Sequence, residues 1–242
     1  MIYVGSAGWN IPRVHKERFP ETGSGLQRYA ARLNAAEINS SFYRPHAPAT
    51  YERWSTSVPA GFRFSVKIPK LITHERGLTR TREPLDRFLA EVAGLGTRLG
   101  PLLVQLPPSH AFDGRRVGRF FELLRSKHDG PVVCEPRHQT WTSDAASRLL
   151  LKFRVARVAA DPPRAAGLDV PGGWPGVVYY RWHGSPRPYF SPYSTEQLRD
   201  LAVKLKQTDG KRARLEGAWC IFDNTGSGSA AGNALDLRAL IA

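Results

Sequence analysis

Six side chains that can move protons or carry charge fall late in short apolar runs: Glu37, Lys67, Glu135, Arg137, Arg181 and His183. Each run alternates as a strand does, with successive side chains on opposite faces. Glu37, Asn39 and Ser41 share one parity, against Ala36 and Ile38; Arg63, Ser65 and Lys67 alternate with Phe64, Val66 and Ile68. Gln105 falls between Val104 and Leu106, Glu135 and Arg137 share the parity of Val133, and Arg181 and His183 that of Tyr179. The last run ends in Asp223-Asn224-Thr225. Buried charges must be paired or ligated, so a static polar layer explains one or two of these residues well and the whole set poorly. The pattern predicts a polar, cation-rich mouth where the strands end.

Three chemistries suit such a mouth. Anion binding would use Lys67, Arg137 and Arg181, since a guanidinium forms bidentate bonds to carboxylate or phosphate and an ammonium acts as a point charge. Gly226 and Gly228, in a Gly-Ser-Gly-Ser turn ahead of a helix, stand where barrels often hold phosphate on backbone amides; a plain flexible loop is the alternative. That spacing is not the dinucleotide fingerprint. Acid–base catalysis would use Glu37 and Glu135 facing each other across the mouth, as glycoside hydrolysis does, with His74, His138 and His183 as further proton carriers. The alternative is that each Glu is a static ion-pair partner, Glu135 with Arg137 being nearest in sequence.

Metal binding is the third: Glu37, Glu135, His183 and Asp223 are suitable ligand types for a divalent ion. Three cations at the same mouth oppose it, and no HxH, HExxH or paired CxxC occurs, so no cofactor is expected. Asn39, Tyr43, Gln105, His138, Trp141, Asp223 and Asn224 complete the expected substrate-binding set. Trp9, Tyr43 and Trp141 lie just past strand ends and could stack on a sugar or base, whereas the parity of Trp182 turns it outward. There is no GxSxG elbow, and Cys134 has the helix-facing parity of inert packing.

Elements must bring these residues together. Strands are predicted at Ile2–Gly8, Ala35–Asn39, Phe62–Ile68, Pro101–Leu106, Pro131–Pro136, Arg154–Ala160, Gly176–His183 and Gly217–Phe222. Helices are predicted at Leu26–Leu33, Ala49–Ser57, Leu85–Leu99, Arg116–Lys127, Ser143–Lys152, Thr195–Lys206 and Ala230–Ile241. Asp161–Pro175 is rich in Pro and Gly and reads as an irregular connection after the sixth strand. Eight strands alternating with helices predict an α/β fold, a TIM-type (β/α) barrel spanning residues 1–242 as one domain; a doubly wound open sheet is the alternative.

The 242 residues carry a net charge of +14, and 27 of the 35 basic residues are Arg. That balance suits an anionic partner, either a small anionic or sugar-like ligand or a nucleic acid; Arg-, Ala-, Gly- and Pro-rich composition is the bland explanation. No apolar run approaches the ~18 residues of a membrane span, and no signal peptide precedes the first strand. Two cysteines inside apolar runs suit a cytoplasmic protein with reduced thiols.

The same segments resemble the YecE-like family, domain of unknown function family 72. The resemblance rests on Gly5-Ser6-Ala7-Gly8-Trp9, Glu37-Ile38-Asn39-Ser40-Ser41-Phe42-Tyr43, Phe64-Ser65-Val66-Lys67-Ile68-Pro69 with Thr73-His74, and Gln105-Leu106-Pro107-Pro108. It continues through Glu135-Pro136-Arg137-His138 with Trp141, Tyr180-Arg181-Trp182-His183-Gly184, and Asp223-Asn224-Thr225 with Asn233. It covers essentially the whole chain, in order, and implies a TIM-type barrel with no assigned reaction. Two departures bear on the site: Pro136 stands where the family usually has an aromatic, and Asp223 where it usually has the first of two Asn.

Overall fold

The computed structural model describes residues 1–211 and 216–242. Parallel strands form a ring: β1 (Ile2–Ala7), β2 (Ala35–Ile38), β3 (Arg63–Lys67), β4 (Leu99–Gln105), β5 (Val132–Glu135), β6 (Val155–Arg157) and β7 (Ala159–Asp161). After β8 (Gly172–Gly173), the ring is completed by β9 (Val177–Trp182) and β10 (Gly217–Phe222). The order is β7-β9-β10-β1-β2-β3-β4-β5-β6-β8. Among the described residues seven α-helices intervene: α1 (Gly25–Ala30), α2 (Pro48–Thr56), α3 (Arg82–Val92), α4 (Gly114–Arg125), α5 (Asp144–Lys152), α6 (Thr195–Lys211) and α7 (Ser229–Ile241).

The sixth barrel position differs from the single strand expected. β6 pairs with β5 and β7 with β9, both parallel. Val158 between them donates its N–H to Cys134 O at 2.8 Å. One interrupted strand thus spans the gap between β5 and β9 and brings the ring round. The irregular connection behind it holds the two-residue β8, antiparallel to β6. Gly173 adopts a φ of 64° and a Cβ on it would stand 2.6 Å from the Val155 carbonyl oxygen, so this close approach needs glycine.

Alternation along the strands separates two apolar layers. Ala36, Ile38, Phe64, Val66, Val104, Cys134, Val178 and Cys220 point outward into the main core under the helices. Tyr3, Ala35, Leu103, Val133, Ala156, Val177, Tyr179, Trp219 and Ile221 fill the ring itself. Trp219 stacks on Tyr3 at 4.5 Å and on Tyr179 at 6.0 Å between centroids. Gly100 on β4 makes room for that indole, since a Cβ there would lie 2.7 Å from it.

The helices start where their signals predict. Ser143 accepts from Ala146 N–H, and Pro48 occupies the first turn of α2. Ser194 and Gln197 exchange side-chain-to-backbone bonds ahead of α6. The helix expected over Leu85–Leu99 stops at Val92. A 3₁₀ segment, Ala93–Arg98, follows, with Gly96 at φ 50° breaking the helical run. Among the described residues no helix is long and apolar enough to cross a membrane.

Candidate functional site

The inward parity that holds Ala35, Leu103 and Val133 lower in the ring continues upward into charge. Glu37 ends β2, Lys67 ends β3, Gln105 ends β4, Glu135 ends β5, Arg181 lies late in β9, and His183 and Asp223 follow β9 and β10. All seven are buried. In a barrel only the inward face at a strand's end can gather side chains from several distant segments.

Arg181 is the centre of the cluster and is wholly buried. Its Nη2 donates to Glu37 Oε1 at 2.8 Å and its Nε to Glu37 Oε2 at 3.0 Å, a bidentate clamp. Its Nη1 reaches Glu135 Oε2 at 3.1 Å and its Nη2 also lies 3.0 Å from Asp223 Oδ2. His183 bridges two of the same acids, with Nε2 3.1 Å from Glu135 Oε1 and Nδ1 3.0 Å from Asp223 Oδ2. Glu135 Oε1 also accepts from Gln105 Nε2 at 3.2 Å and Arg137 Nε at 3.1 Å. The Tyr179 hydroxyl lies 3.2 Å from Glu37 Oε2 and 3.0 Å from Ser65 Oγ.

These contacts fix protonation. Burial pushes Glu135 up, but the charges of Arg181, His183 and Arg137 outweigh it and hold the carboxyl well below its usual range. For Asp223 burial is likewise outweighed, by Arg181 and by the hydrogen bond from His183. Burial pulls His183 down, but the Glu135 charge and the bonds to both acids outweigh that and raise it, which favours the protonated ring. Burial raises the thiols of Cys134 and Cys220, and both lie on the outward layer.

Lys67 stands apart. Its Nζ lies 3.9 Å above the Phe42 ring. Among the described residues the Nζ makes no ion pair or hydrogen bond. Burial first, then the Arg181 charge, lower its pKa from 10.5 to about 8. Lys67, Arg137 and Arg181, joined by His183 to the extent that its ring is protonated, face the three acids Glu37, Glu135 and Asp223; among the described residues Lys67 is the cation of this group that makes no direct ion pair. His74 stands on a π-helical turn, Leu71–Glu75, with its ring 5.0 Å from Phe42 and its Nδ1 2.9 Å from Thr73 Oγ1. Burial, then the Lys67 and Arg137 charges, lower His74 to about 4, so its imidazole is neutral at pH 7.

Several expected site residues stand elsewhere. Trp141 is fully buried in the outer layer, and its Nε1 donates to His110 O at 2.9 Å. His138 caps the 3₁₀ turn Gln139–Thr142 by accepting from Thr140 N–H. Asn224, one residue past the inward Asp223, turns outward and bonds Ser191 O at 3.0 Å and Asn233 Oδ1 at 2.9 Å. The Gly226 amide bonds Tyr189 O and the Gly228 amide bonds Thr225 O, so neither is offered to a phosphate. Tyr43 is exposed and lines an outer groove of about 430 Å³ with Arg44, Pro69, Leu71 and Arg87. Trp9 packs edge-on against Trp54 and Phe64, outside the ring. Trp182 does face outward, against Tyr193 and Phe222.

Asn39 lines a shallower groove at the ends of β1 and β2, with its Oδ1 buried and unpartnered. Glu37, Glu135, His183 and Asp223, the set considered for a metal, do converge, but around the Arg181 guanidinium. Among the described residues no three His, Cys, Asp or Glu are arranged to hold an ion. Ser65 and Tyr179 belong to the network though only their inward parity pointed to it. Tyr189, whose ring lies edge-on to His183 at 5.8 Å, comes from a loop that carried no signal.

Fold and site together define a (β/α) barrel with an ion-pair network at the C-terminal ends of its strands. Residues 3–242 match the family described as "Protein of unknown function DUF72", and the chain belongs to that family. The UPF0759 protein YecE of Escherichia coli K12 is 30% identical over 126 residues, which are 52% of this chain and 44% of that protein, so this match spans less than half of the relative. The UPF0759 protein YunF of Bacillus subtilis is 24% identical and matches all of this chain and 95% of its own length. A crystal structure of a DUF72 family protein from Enterococcus faecalis superposes with a TM-score of 0.83 at 21% identity, covering 100% of this chain and 95% of that one. One from Thermotoga maritima gives 0.79 at 25% identity, with coverage of 100% and 99%.

Proposed function

We propose that the barrel mouth is an active site for acid–base chemistry on a small anionic or sugar-like substrate, with Lys67 as the group that exchanges the proton. The observation that carries this is the buried Lys67 amine, which lies over the Phe42 ring and makes no direct ion pair among the described residues, beside the Arg181 network of paired charges. Its pKa of about 8 suits proton transfer near neutral pH, where both protonation states are populated. Glu37 and Glu135, first considered as the acid–base pair, are better read as the frame: each is bonded to Arg181, and the cations around Glu135 hold its carboxyl well below the usual range. His183, Arg137 and the excess positive charge favour an anionic substrate group.

The test is a panel of small carboxylates, phosphates and sugar acids followed by proton NMR in D2O. Wild-type protein should exchange or convert at least one compound. Lys67→Met should abolish that activity, and Lys70→Met, changed at an exposed lysine three residues on, should retain it. No active compound in the panel, or full activity in Lys67→Met, would overturn the reading.

A second reading is favoured by one different observation. Arg80, Arg82, Arg115, Arg116 and Arg119 line a groove of about 500 Å³ between the starts of α3 and α4. Such a basic surface suits a nucleic-acid backbone, contacted through phosphates and without a base-stacking platform.

A further inference from the structure

We propose that Lys67 condenses with the carbonyl of a small anionic aldehyde or ketone to form an imine at the barrel mouth. This rests on the mouth being the active site, as proposed above, and goes further by naming a covalent step and the class of compound that takes part.

A purely anion-binding ammonium is best left charged, near water or beside a carboxylate. Lys67 is buried and makes no direct ion pair among the described residues; the charges of Glu37, Glu135 and Asp223 reach it, but burial and the cationic Arg181 of the same cluster outweigh them. Desolvation and a neighbouring cation are the two devices that make a lysine amine nucleophilic, because both favour the neutral form. The Phe42 face 3.9 Å from Nζ supplies an apolar wall without accepting the amine's proton. His74 packs edge-on against that same ring, which brings a neutral imidazole into the neighbourhood of the amine.

The step balances without any outside oxidant or reductant. The Nζ lone pair attacks the carbonyl carbon, forming a C–N bond while the C=O π pair moves to oxygen. A proton passes from nitrogen to that oxygen, giving a carbinolamine. The hydroxyl oxygen then takes a second proton from solvent, the nitrogen lone pair forms the C=N bond as the C–O bond breaks, and water leaves. The protonated imine restores the positive charge that the neutral amine lacked. The anionic group of the ligand then meets a mouth with cationic excess, where Arg137 is the partly exposed cation.

Glyoxylate is a suitable probe, with sodium cyanoborohydride to reduce any imine to a stable carboxymethyl-lysine, and peptide mass mapping to locate it. The other seven lysines of the chain act as internal competitors. At pH 7, Lys67 should be labelled at least about tenfold faster than Lys70, as the larger neutral fraction of a low-pKa amine requires. Lys67→Met and Lys67→Arg should each lose the fast adduct while the slow ones persist. Label spread over exposed lysines, with Lys67 unmodified, overturns the imine. Binding is read separately, from NMR shifts of mouth residues. Glyoxylate that binds but forms no Lys67 adduct sinks only the imine; absence of both binding and adduct sinks the imine and the reading of the mouth together.

Discussion

Arg181 and the arginines between α3 and α4 are chemically identical side chains in opposite settings. Arg181 has no exposure and is held by three carboxylates. Arg80, Arg82, Arg115 and Arg119 are exposed and make no ion pair among the described residues; Arg116 lies 3.5 Å from Asp113. Water screens the outer group, so no partner is demanded of it. In the ring the cost of removing a guanidinium from water is several kcal/mol, and only close acids offset it. Lys67 is instructive because it breaks this rule: it is buried like Arg181 and, like Arg119, makes no direct ion pair among the described residues. A charge left uncompensated in a core costs stability, and such costs are tolerated where activity needs them.

The contrast yields graded expectations. Arg181→Met should be the most damaging change, leaving Glu37, Glu135 and Asp223 buried around an apolar group. A loss of about 3–5 kcal/mol is expected, measured by urea unfolding. Lys67→Met should act in the opposite direction. Its pKa falls from 10.5 to about 8 on folding, and at about 1.4 kcal/mol per unit the charged form costs on the order of 3 kcal/mol at pH 7. The variant should therefore unfold at higher urea while losing function; a destabilised Lys67→Met would show that the amine is a structural part after all.

Acid titration gives the next effect. Glu135 and Asp223 have folded pKa values below their unfolded ones, so their contribution is complete above the ordinary carboxylate range near ~4 and is lost as pH falls through the depressed values. His183 is raised on folding. Its contribution is complete below ~6.5 and fades as pH rises through the higher folded value. Stability measured against pH should show both flanks, and His183→Gln should remove the alkaline one.

The smallest effect on stability belongs to the outer arginines. Arg115→Gln, Arg116→Gln and Arg119→Gln together should each shift unfolding by no more than about 0.5 kcal/mol. They bear instead on the second reading. If that groove meets a nucleic-acid backbone, binding of a single-stranded oligonucleotide should weaken linearly with log salt, and the triple variant should flatten the slope by about 2. An unchanged slope would remove the groove from consideration.

Much of the inner ring was legible because a strand's parity is a strict geometric rule. Glu37, Lys67, Gln105, Glu135, Arg181 and Asp223 met at one rim as their alternation required. Parity gives the face but not the partner. It could not tell that Arg181 is consumed by three acids, so the expected cation-rich pocket became a nearly balanced network with one amine left over. Beyond the strand ends the rule lapses. Trp141, His138 and Asn224 lie two to six residues past their strands, where turns set direction, and each was drawn into a local bond instead of the mouth. The break at Val158 was equally hidden, since β6 and β7 read as one apolar run and differ only in which neighbour each pairs with.

The stacked rings of Tyr3, Trp219 and Tyr179, accommodated by the bare Gly100, have a last consequence. They stopper the tube from below, so whatever reaches the Lys67 amine must depart through the doorway by which it came. Incoming and outgoing molecules then contend for a single passage, and a product should hinder its own substrate competitively.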